Sequence, residues 1–214
     1  MAAPEKLAAL RHLLAERFPS VTQPTAPGRT LATGIPGLDG STGGLPLSAV
    51  TEVVCAAPSC GSQLLLGELL AKTRATRTRV ALVDGSDAFD PASFTEDLLA
   101  HLVWVRCHGT AEALQAVDLL ARDANLGLVV LDLRRAAEAE LRRVPATQWY
   151  RLQRAVEPTD LALLVETPRP IVASAQVRFV LDHSLPLTAL EVDRPGLATS
   201  LTATVQRQRL AAAG

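Results

Sequence analysis

The fold of this chain is decided by the stretch from Val50 to Thr73, which reads VTEVVCAAPSCGSQLLLGELLAKT. Residues 50–55 form an apolar run with the length of a buried strand, and residues 63–73 place leucines at helical spacing. The segment between them contains a Pro-Ser-Cys-Gly turn. A strand that passes through so short a turn into a helix is typical of the first half of a βαβ unit, so this stretch predicts an α/β protein.

The residues that follow repeat this alternation of strand and helix. Further strands are predicted at Arg79–Asp84, Leu102–Arg106, Leu128–Asp132 and Leu161–Glu166. Helices are predicted between them at Phe94–His101, Thr110–Asn125 and Thr147–Val156, with Thr110 as an N-cap. This order favours a mostly parallel sheet with right-handed connections and helices on its faces. Toward the carboxyl end, three strand-like runs predict antiparallel strands at the sheet edge: Ala173–Asp182, Leu187–Val192 and Leu197–Val205.

Length and composition fit one sizeable α/β domain. The chain has 214 residues and a formal net charge of −1, so overall charge gives no reason to expect tight binding to nucleic acid. The three cysteines lack metal-ligand spacing, and their odd number argues against a disulfide framework. No apolar run approaches the roughly 18–20 residues of a membrane span, and the amino terminus does not resemble a signal peptide. We therefore expect a cytoplasmic protein that binds neither a membrane nor a metal.

The two ends of the chain differ from the central part. Residues 1–30 are expected to form an amino-terminal helix and a linker, residues 31–209 the core domain, and residues 210–214 a short tail. The helix carries an apolar stripe made of Leu7, Leu10, Leu13 and Leu14. Two interpretations of this stripe stay open: it packs on its own domain, or it docks on another protein. The tail either frays or binds a partner.

The turn after the first strand occupies the place of the phosphate-binding loop in P-loop proteins, which reads G-x-x-x-x-G-K-[ST]. Ala56 stands for the first glycine and Gly61 for the second. Ser62 replaces the lysine that reaches the phosphates, and Gln63 replaces the hydroxyl residue that holds Mg²⁺. The loop alone is a poor match, so its interpretation depends on the segments that flank it.

These flanking segments resemble the RecA recombinase family. The residues TGIPGLD at 33–39 and GGLP at 43–46 resemble the entry to the first core strand of that family. The residues VDGSDAFDP at 83–91 resemble the stretch after its second core strand, and LVVLD at 128–132 occupies the Walker B position. The resemblance extends from about Leu31 to Arg209. It implies a RecA-like P-loop NTPase core with a mostly parallel sheet flanked by helices.

Several residues that the RecA family uses for chemistry are missing. The position of its catalytic glutamate is Ser86, and Glu166-Thr167-Pro168 stands where the family senses nucleotide. The second DNA-binding loop is missing, because Pro168-Arg169-Pro170 leads almost directly into the next strand. Asp132 is expected to cap nearby N–H groups rather than to hold Mg²⁺. The resemblance therefore implies a chain with no catalytic residues, no nucleotide cofactor and no metal.

Two smaller sets of residues remain open to more than one interpretation. Arg134, Arg135, Arg142 and Arg143 form either a basic face toward DNA or an acidic partner, or a solvated face neutralised by Glu138 and Glu140. Cys60 lies where a helix N-terminus could lower the pKa of its thiol. Because no resolving partner can be predicted, we interpret Cys60 as structural.

Within the RecA-like proteins the chain resembles the ImuA family in length, order of segments and degenerate phosphate loop. That resemblance implies a role in SOS-induced mutagenesis by translesion synthesis. The implied partners are RecA, the inactive Y-family polymerase homologue ImuB, and an error-prone C-family polymerase, with weak binding to single-stranded DNA as a further option. One alternative is a cell-division inhibitor of the SulA type. A DNA-dependent ATPase with an unusual loop is the other alternative.

Overall fold

The computed structural model describes residues 29–208. Its centre is a seven-stranded sheet. The strands of this sheet are, in chain order, β3 (Ala49–Cys55), β4 (Val80–Asp84), β5 (Leu102–Arg106), β6 (Leu128–Asp132), β7 (Ala162–Thr167), β8 (Val177–Leu181) and β9 (Thr204–Gln208). A small antiparallel ladder of β1 (Thr30–Leu31) and β2 (Leu45–Pro46) precedes it in the chain.

Helices connect the strands in the expected alternation. They are α1 (Pro36–Thr42), α2 (Ser62–Ala75), α3 (Glu96–Leu99), α4 (Thr110–Leu120), α5 (Glu138–Arg143), α6 (Ala146–Val156) and α7 (Arg194–Ser200). Short 3₁₀ turns occur at Pro91–Ser93 and Leu187–Glu191. No helix within residues 29–208 is long and apolar enough to cross a membrane.

The strand order is β5-β4-β6-β7-β3-β8-β9, and every neighbouring pair is parallel except β8 and β9. The predicted α/β fold with a mostly parallel sheet and an antiparallel carboxyl-terminal pair is therefore confirmed, and it agrees with a RecA-like core. Because the strands are parallel, the ends of β4, β6 and β7 meet at one edge. There the register aligns Asp84 with Asp132 and Asp132 with Glu166.

The two faces of the sheet are covered by separate apolar layers. On one face, Val129 and Leu131 of β6 pack with residues of α4 and α6 such as Val117 and Trp149. On the other face, Leu128 and Val130 belong to a cluster with the leucines of α2 and with Phe179 of β8. Alternate residues of one strand thus enter both layers, which is why the strand reads as a continuous apolar run.

The carboxyl-terminal prediction was partly wrong. Residues 187–192, predicted as a strand, contain a 3₁₀ turn. The predicted strand Leu197–Val205 begins inside α7, and only its last two residues belong to β9. The Asp193 side chain caps α7 by accepting a hydrogen bond from the N–H of Gly196 at 3.0 Å, and Pro195 suits the first helical turn. The strand β8 begins at Val177 rather than Ala173, and it is parallel to β3.

Two helix predictions also need correction. The predicted helix Phe94–His101 is reduced to α3, which follows the 3₁₀ turn at Pro91–Ser93. Gly109, not Thr110, is the N-cap of α4, and the N–H of Thr110 donates to Glu140 Oε2 at 2.9 Å. The carboxylate of Glu140 in α5 therefore accepts the hydrogen bond of a free N–H group in the first turn of α4, where the sequence predicted Thr110 itself as the cap. The apolar stripe of Leu7, Leu10, Leu13 and Leu14 lies outside the described residues.

Candidate functional site

The degenerate phosphate loop connects β3 to α2 and is held by the carboxyl-terminal part of the chain. Its N–H at Ala56 donates to the carbonyl of Leu181 at 3.0 Å, and its carbonyl at Ser59 accepts from Leu185 at the same distance. Gly61 precedes α2 with a φ of 90°, a conformation that favours glycine. A Cβ at Gly61 would lie 2.5 Å from Cδ1 of Leu201, so this leucine covers the loop closely.

A single guanidinium occupies the centre of the site. Arg134 follows β6 and turns back so that its Nε and Nη2 donate to the two oxygens of Asp132 at 2.9 and 2.5 Å. Its Nε also lies 3.1 Å from Oε2 of Glu166, at the end of β7. Its Nη1 donates to Oγ of Ser62, the first residue of α2. Three residues from three elements thus meet around one cation, and we call these residues and Arg134 the Arg134 cluster.

The position of this cation is informative about the loop. In P-loop NTPases a lysine stands at the position of Ser62, and a Walker B aspartate at the position of Asp132 helps to hold Mg²⁺. Arg134 contacts both positions, so a side chain of the protein lies between the groups that would flank a phosphate and its metal. The prediction that Asp132 caps backbone groups is only a part of its role: it accepts from the N–H of Arg134 at 3.0 Å, but it also binds the guanidinium.

Burial makes the charge balance of the Arg134 cluster important. The side chains of Arg134, Asp132 and Glu166 are 16%, 5% and 2% exposed, so two buried carboxyl groups share one buried cation. Burial raises the pKa of Glu166 to about 8; the charge of Arg134 opposes this shift, and the charge of Asp132 adds to it. Glu166 Oε1 has no hydrogen-bond partner among residues 29–208. The Glu166 carboxyl therefore holds its proton more strongly than an ordinary glutamate does.

A pair of cysteines borders the same loop. The Cys55 thiol at the end of β3 influences the pKa of Cys60 across the loop. This thiol, the N–H of Ser62 and the charge of Arg134 lower the pKa of Cys60 to about 6, although burial opposes them. The neighbouring Cys60 thiol, together with burial, raises the pKa of Cys55. The sequence alone did not identify Cys55 as a neighbour of Cys60, because only the folded β3 and the turn bring the two residues near each other; the interpretation of Cys60 as structural stays a prediction.

The other positions compared with the P-loop and the catalytic glutamate carry uncharged side chains. Ala56 is exposed, and Gln63 is partly buried on α2. Ser86, at the position of the catalytic glutamate, has a buried Oγ without a hydrogen-bond partner in the described part of the chain. The neighbouring Asp84 instead organises this turn, because it accepts from the N–H groups of Ala88 and Phe89 at 2.9 and 2.8 Å.

The connection after β7 covers residues 168–176, longer than predicted because β8 begins at Val177, and a buried carboxylate of β3 holds it in place. Glu52 is fully buried on β3 and accepts hydrogen bonds from the N–H groups of Ile171 and Val172 at 2.8 and 3.1 Å. Arg178 of β8 donates to the other oxygen of Glu52 at 2.5 Å. A buried ion pair thus anchors residues 168–176, where the RecA resemblance implies that a DNA-binding loop has been lost.

The four arginines predicted as a basic face do not point in one direction. Arg134 is turned inward into the Arg134 cluster. Arg142 pairs with Glu138 at 2.9 Å, as expected for a solvated, neutralised face. Arg143 lines a cavity of about 610 Å³ beside the N-terminus of α4, and Arg135 is exposed. Contact of Arg135, Arg142 and Arg143 with DNA or an acidic partner stays a prediction.

Comparison with known proteins does not assign the chain to a family, since no family model matches it and no curated protein matches it. The interpretation of the site thus depends on its own geometry. Sequence reasoning found the loop, but it missed the inward position of Arg134, the buried Glu166 and the cover formed by Leu201. The only available signal was the concentration of charged residues at predicted strand ends, at Asp132, Arg134 and Glu166.

Proposed function

We propose that this chain is a non-catalytic RecA-like adaptor in SOS-induced translesion DNA synthesis. In this proposal it binds RecA, the ImuB polymerase homologue, or both, and it changes the behaviour of RecA filaments. The single observation that supports the non-catalytic part most directly is the bridge from Arg134 to Ser62 and Asp132. The partners follow from the resemblance to the ImuA family described above.

The geometry of the loop opposes productive nucleotide binding. A triphosphate needs backbone N–H groups, a lysine and a metal at the phosphates. Here the guanidinium of Arg134 would have to leave two carboxyl groups that are 5% and 2% exposed. Removing one partner from such a buried pair costs about 3–5 kcal/mol. Leu201 would also have to move away from Gly61.

An adaptor needs an accessible surface for its partners, and an apolar one lies close to the loop. Leu187 and Leu190 belong to the 3₁₀ turn after β8 and are 86% and 85% exposed. Val192 is also exposed, and Leu185 is bonded to Ser59 of the loop. Three large apolar residues exposed within six positions are more typical of a protein contact than of a free surface. We assign this surface to the polymerase homologue and the amino-terminal leucines to RecA.

The RecA part is tested by adding the full chain to RecA on single-stranded DNA in equimolar amount. We expect a lower ATPase rate or shorter filaments. No change in either quantity contradicts the RecA part of the proposal.

The polymerase part is tested by capture of ImuB from a purified mixture. The double variant Leu187→Asp/Leu190→Asp should lose the capture, whereas Leu119→Asp, a control on α4 that is 74% exposed, should retain it. Filamentous cells on overexpression, without any ImuB capture, would instead favour the cell-division alternative. Micromolar binding of ATP with Mg²⁺ in a calorimetric titration would contradict the non-catalytic assignment.

A further inference from the structure

We infer that the outer face of α6 is a binding site for single-stranded nucleic acid, separate from the degenerate loop. The site is a cavity of about 550 Å³ lined by Arg122, Thr147, Tyr150, Arg151, Arg154 and Ala155. Its volume lies in the range of small-ligand sites and exceeds what one phosphate group requires. The inference assigns a specific site to the single-stranded DNA binding that the sequence left as an option, and it does not depend on the adaptor function.

The sequence of α6 creates this face through helical spacing. Thr147, Tyr150, Arg151 and Arg154 stand at positions i, i+3, i+4 and i+7, so they share one side of the helix. The opposite side is apolar and buried, with Trp149 and Leu152 in the core. The chain adds a further cation from the end of α4, where Arg122 follows the helix.

The positive charge of the cavity exceeds the negative charge that faces it. Asp118 of α4 binds Arg151 through Nε at 3.1 Å and Nη2 at 2.6 Å, and it lies 3.5 Å from Arg122. Two arginines thus share one carboxylate, and no ion pair of the third arginine, Arg154, occurs within the part of the chain that the structure describes. Since Asp118 fixes Arg151 by two bonds while leaving that side chain 60% exposed, the guanidinium is already oriented for an anion.

The two other carboxylates close to these arginines in sequence are engaged elsewhere. Asp123, next to Arg122, accepts from the N–H and the side-chain amide of Asn125, both at 2.9 Å. Glu157, after α6, accepts from Gln153 at 3.3 Å. The site therefore differs from the face around Arg142, where Glu138 neutralises the arginine.

The aromatic ring selects nucleic acid among the possible anions. Tyr150 is 45% exposed and lines the same cavity as the three arginines. Single-strand binding sites combine such cations for the phosphates with aromatic rings on which bases stack. An acidic peptide would use the charges but would gain little from the ring. Because the net charge of the whole chain is −1, attraction has to come from this local site.

The test is fluorescence anisotropy of labelled oligo(dT) titrated with the full chain at several salt concentrations. Tyr150→Ala should weaken affinity about tenfold, as expected for the loss of one stacked base, whereas Tyr150→Phe should retain it. Arg154→Ala should weaken affinity and reduce the slope of log affinity against log salt by about 0.7. The matched control is Arg106→Ala, since Arg106 is 59% exposed and bound by both oxygens of Asp87, yet lies on β5.

The outcomes separate this site from its alternatives. Specific losses in the Tyr150 and Arg154 variants, with an unchanged control, support the inference. It is overturned if oligo(dT) does not bind, or if all variants bind like the wild type. Equal competition by a polyglutamate peptide, together with no effect of Tyr150→Ala, would also overturn it and would identify the surface as a site for acidic proteins. Circular dichroism of each variant verifies that it is folded.

Discussion

Removing the central cation of the Arg134 cluster is the most direct test of how the degenerate loop is stabilised. The substitution Arg134→Ala deletes a side chain that is 16% exposed and leaves behind Asp132 and Glu166, which are 5% and 2% exposed. Ser62 Oγ also loses its donor. The variant thus retains two buried carboxyl groups with no compensating charge.

The expected cost follows from that burial. Breaking a buried ion pair by removing one partner costs about 3–5 kcal/mol, because the remaining charge is uncompensated. A domain of this size has a total stability of roughly 5–15 kcal/mol, so the variant should lose a large fraction of it. The matched control is Arg142→Ala, whose pair with Glu138 is 73% and 47% exposed. Solvent screens an exposed pair of that kind, so its loss should leave the stability nearly unchanged.

The assay is urea unfolding followed by circular dichroism, with the free energy of unfolding extrapolated to water. The loss in Arg134→Ala should be smaller at pH 5 than at pH 8, because protonation removes the uncompensated charge. The double variant Arg134→Ala/Glu166→Gln should recover part of the loss for the same reason. If Arg134→Ala costs less than about 1 kcal/mol at pH 8, or no more than Arg142→Ala, the buried cation is not what stabilises the loop.

Three further predictions concern the same region. Relative to Glu166→Gln, the wild type should lose stability as pH rises from about 4.5 to about 8, because the pKa of Glu166 is raised and the folded state binds a proton that the unfolded state releases. The comparison with Glu166→Gln cancels the opposite contribution of Cys60, whose lowered pKa adds stability as pH rises above about 6. Urea unfolding across this range measures both proteins, and equal slopes would contradict the raised pKa. Gly61→Ala should lower the free energy of unfolding by at least about 1–2 kcal/mol, because the φ of 90° is unfavourable for alanine and the added Cβ meets Leu201. The control Gly40→Ala in α1 has open space around the added Cβ and should not destabilise the protein. Thermal unfolding measures the stability of both variants, and similar values would disprove the argument. The ultraviolet absorbance of the Cys60 thiolate should titrate near pH 6, and this titration should shift to higher pH in Cys55→Ala, because the Cys55 thiol is the main cause of the lowered pKa. A Cys60→Ser variant identifies which part of the signal comes from Cys60. An unchanged titration in Cys55→Ala would rule out the interaction between the two thiols.

The prediction of the core from sequence succeeded where residue type and period agree. The strands at 80–84, 128–132 and 162–167 are apolar runs that become polar only at their last one or two residues, and β3 at 49–55 is interrupted only by Thr51 and Glu52. Such runs are what a sheet covered on both faces requires. The carboxyl-terminal region failed because its apolar residues do not all enter the core. Leu187 and Leu190 suggested a strand, but both are highly exposed, and Asp193 with Pro195 starts a helix instead.

The tail illustrates a general limit of such reasoning. A run of alternating apolar residues predicts a strand only if a neighbouring strand is available to pair with it. Here β9, at residues 204–208, takes the position beside β8, so the intervening segment forms turns and α7. The same segment places Leu201 over Gly61, a contact between residues 140 positions apart that no local pattern encodes.

The sequence alone determines that the loop lacks the residues with which a P-loop binds phosphate and Mg²⁺, because the side chains of Ala56, Ser62 and Gln63 differ from them locally, whatever the fold. What fills the vacated position was decided only by the tertiary structure. Ser62, Arg134 and Glu166 are far apart in the chain, and they meet because β3, β6 and β7 are parallel neighbours that end at the same edge. Arg134, which the sequence predicted to lie on a basic surface, is therefore buried, because only the folded sheet brings it next to the carboxyl groups that compensate its charge.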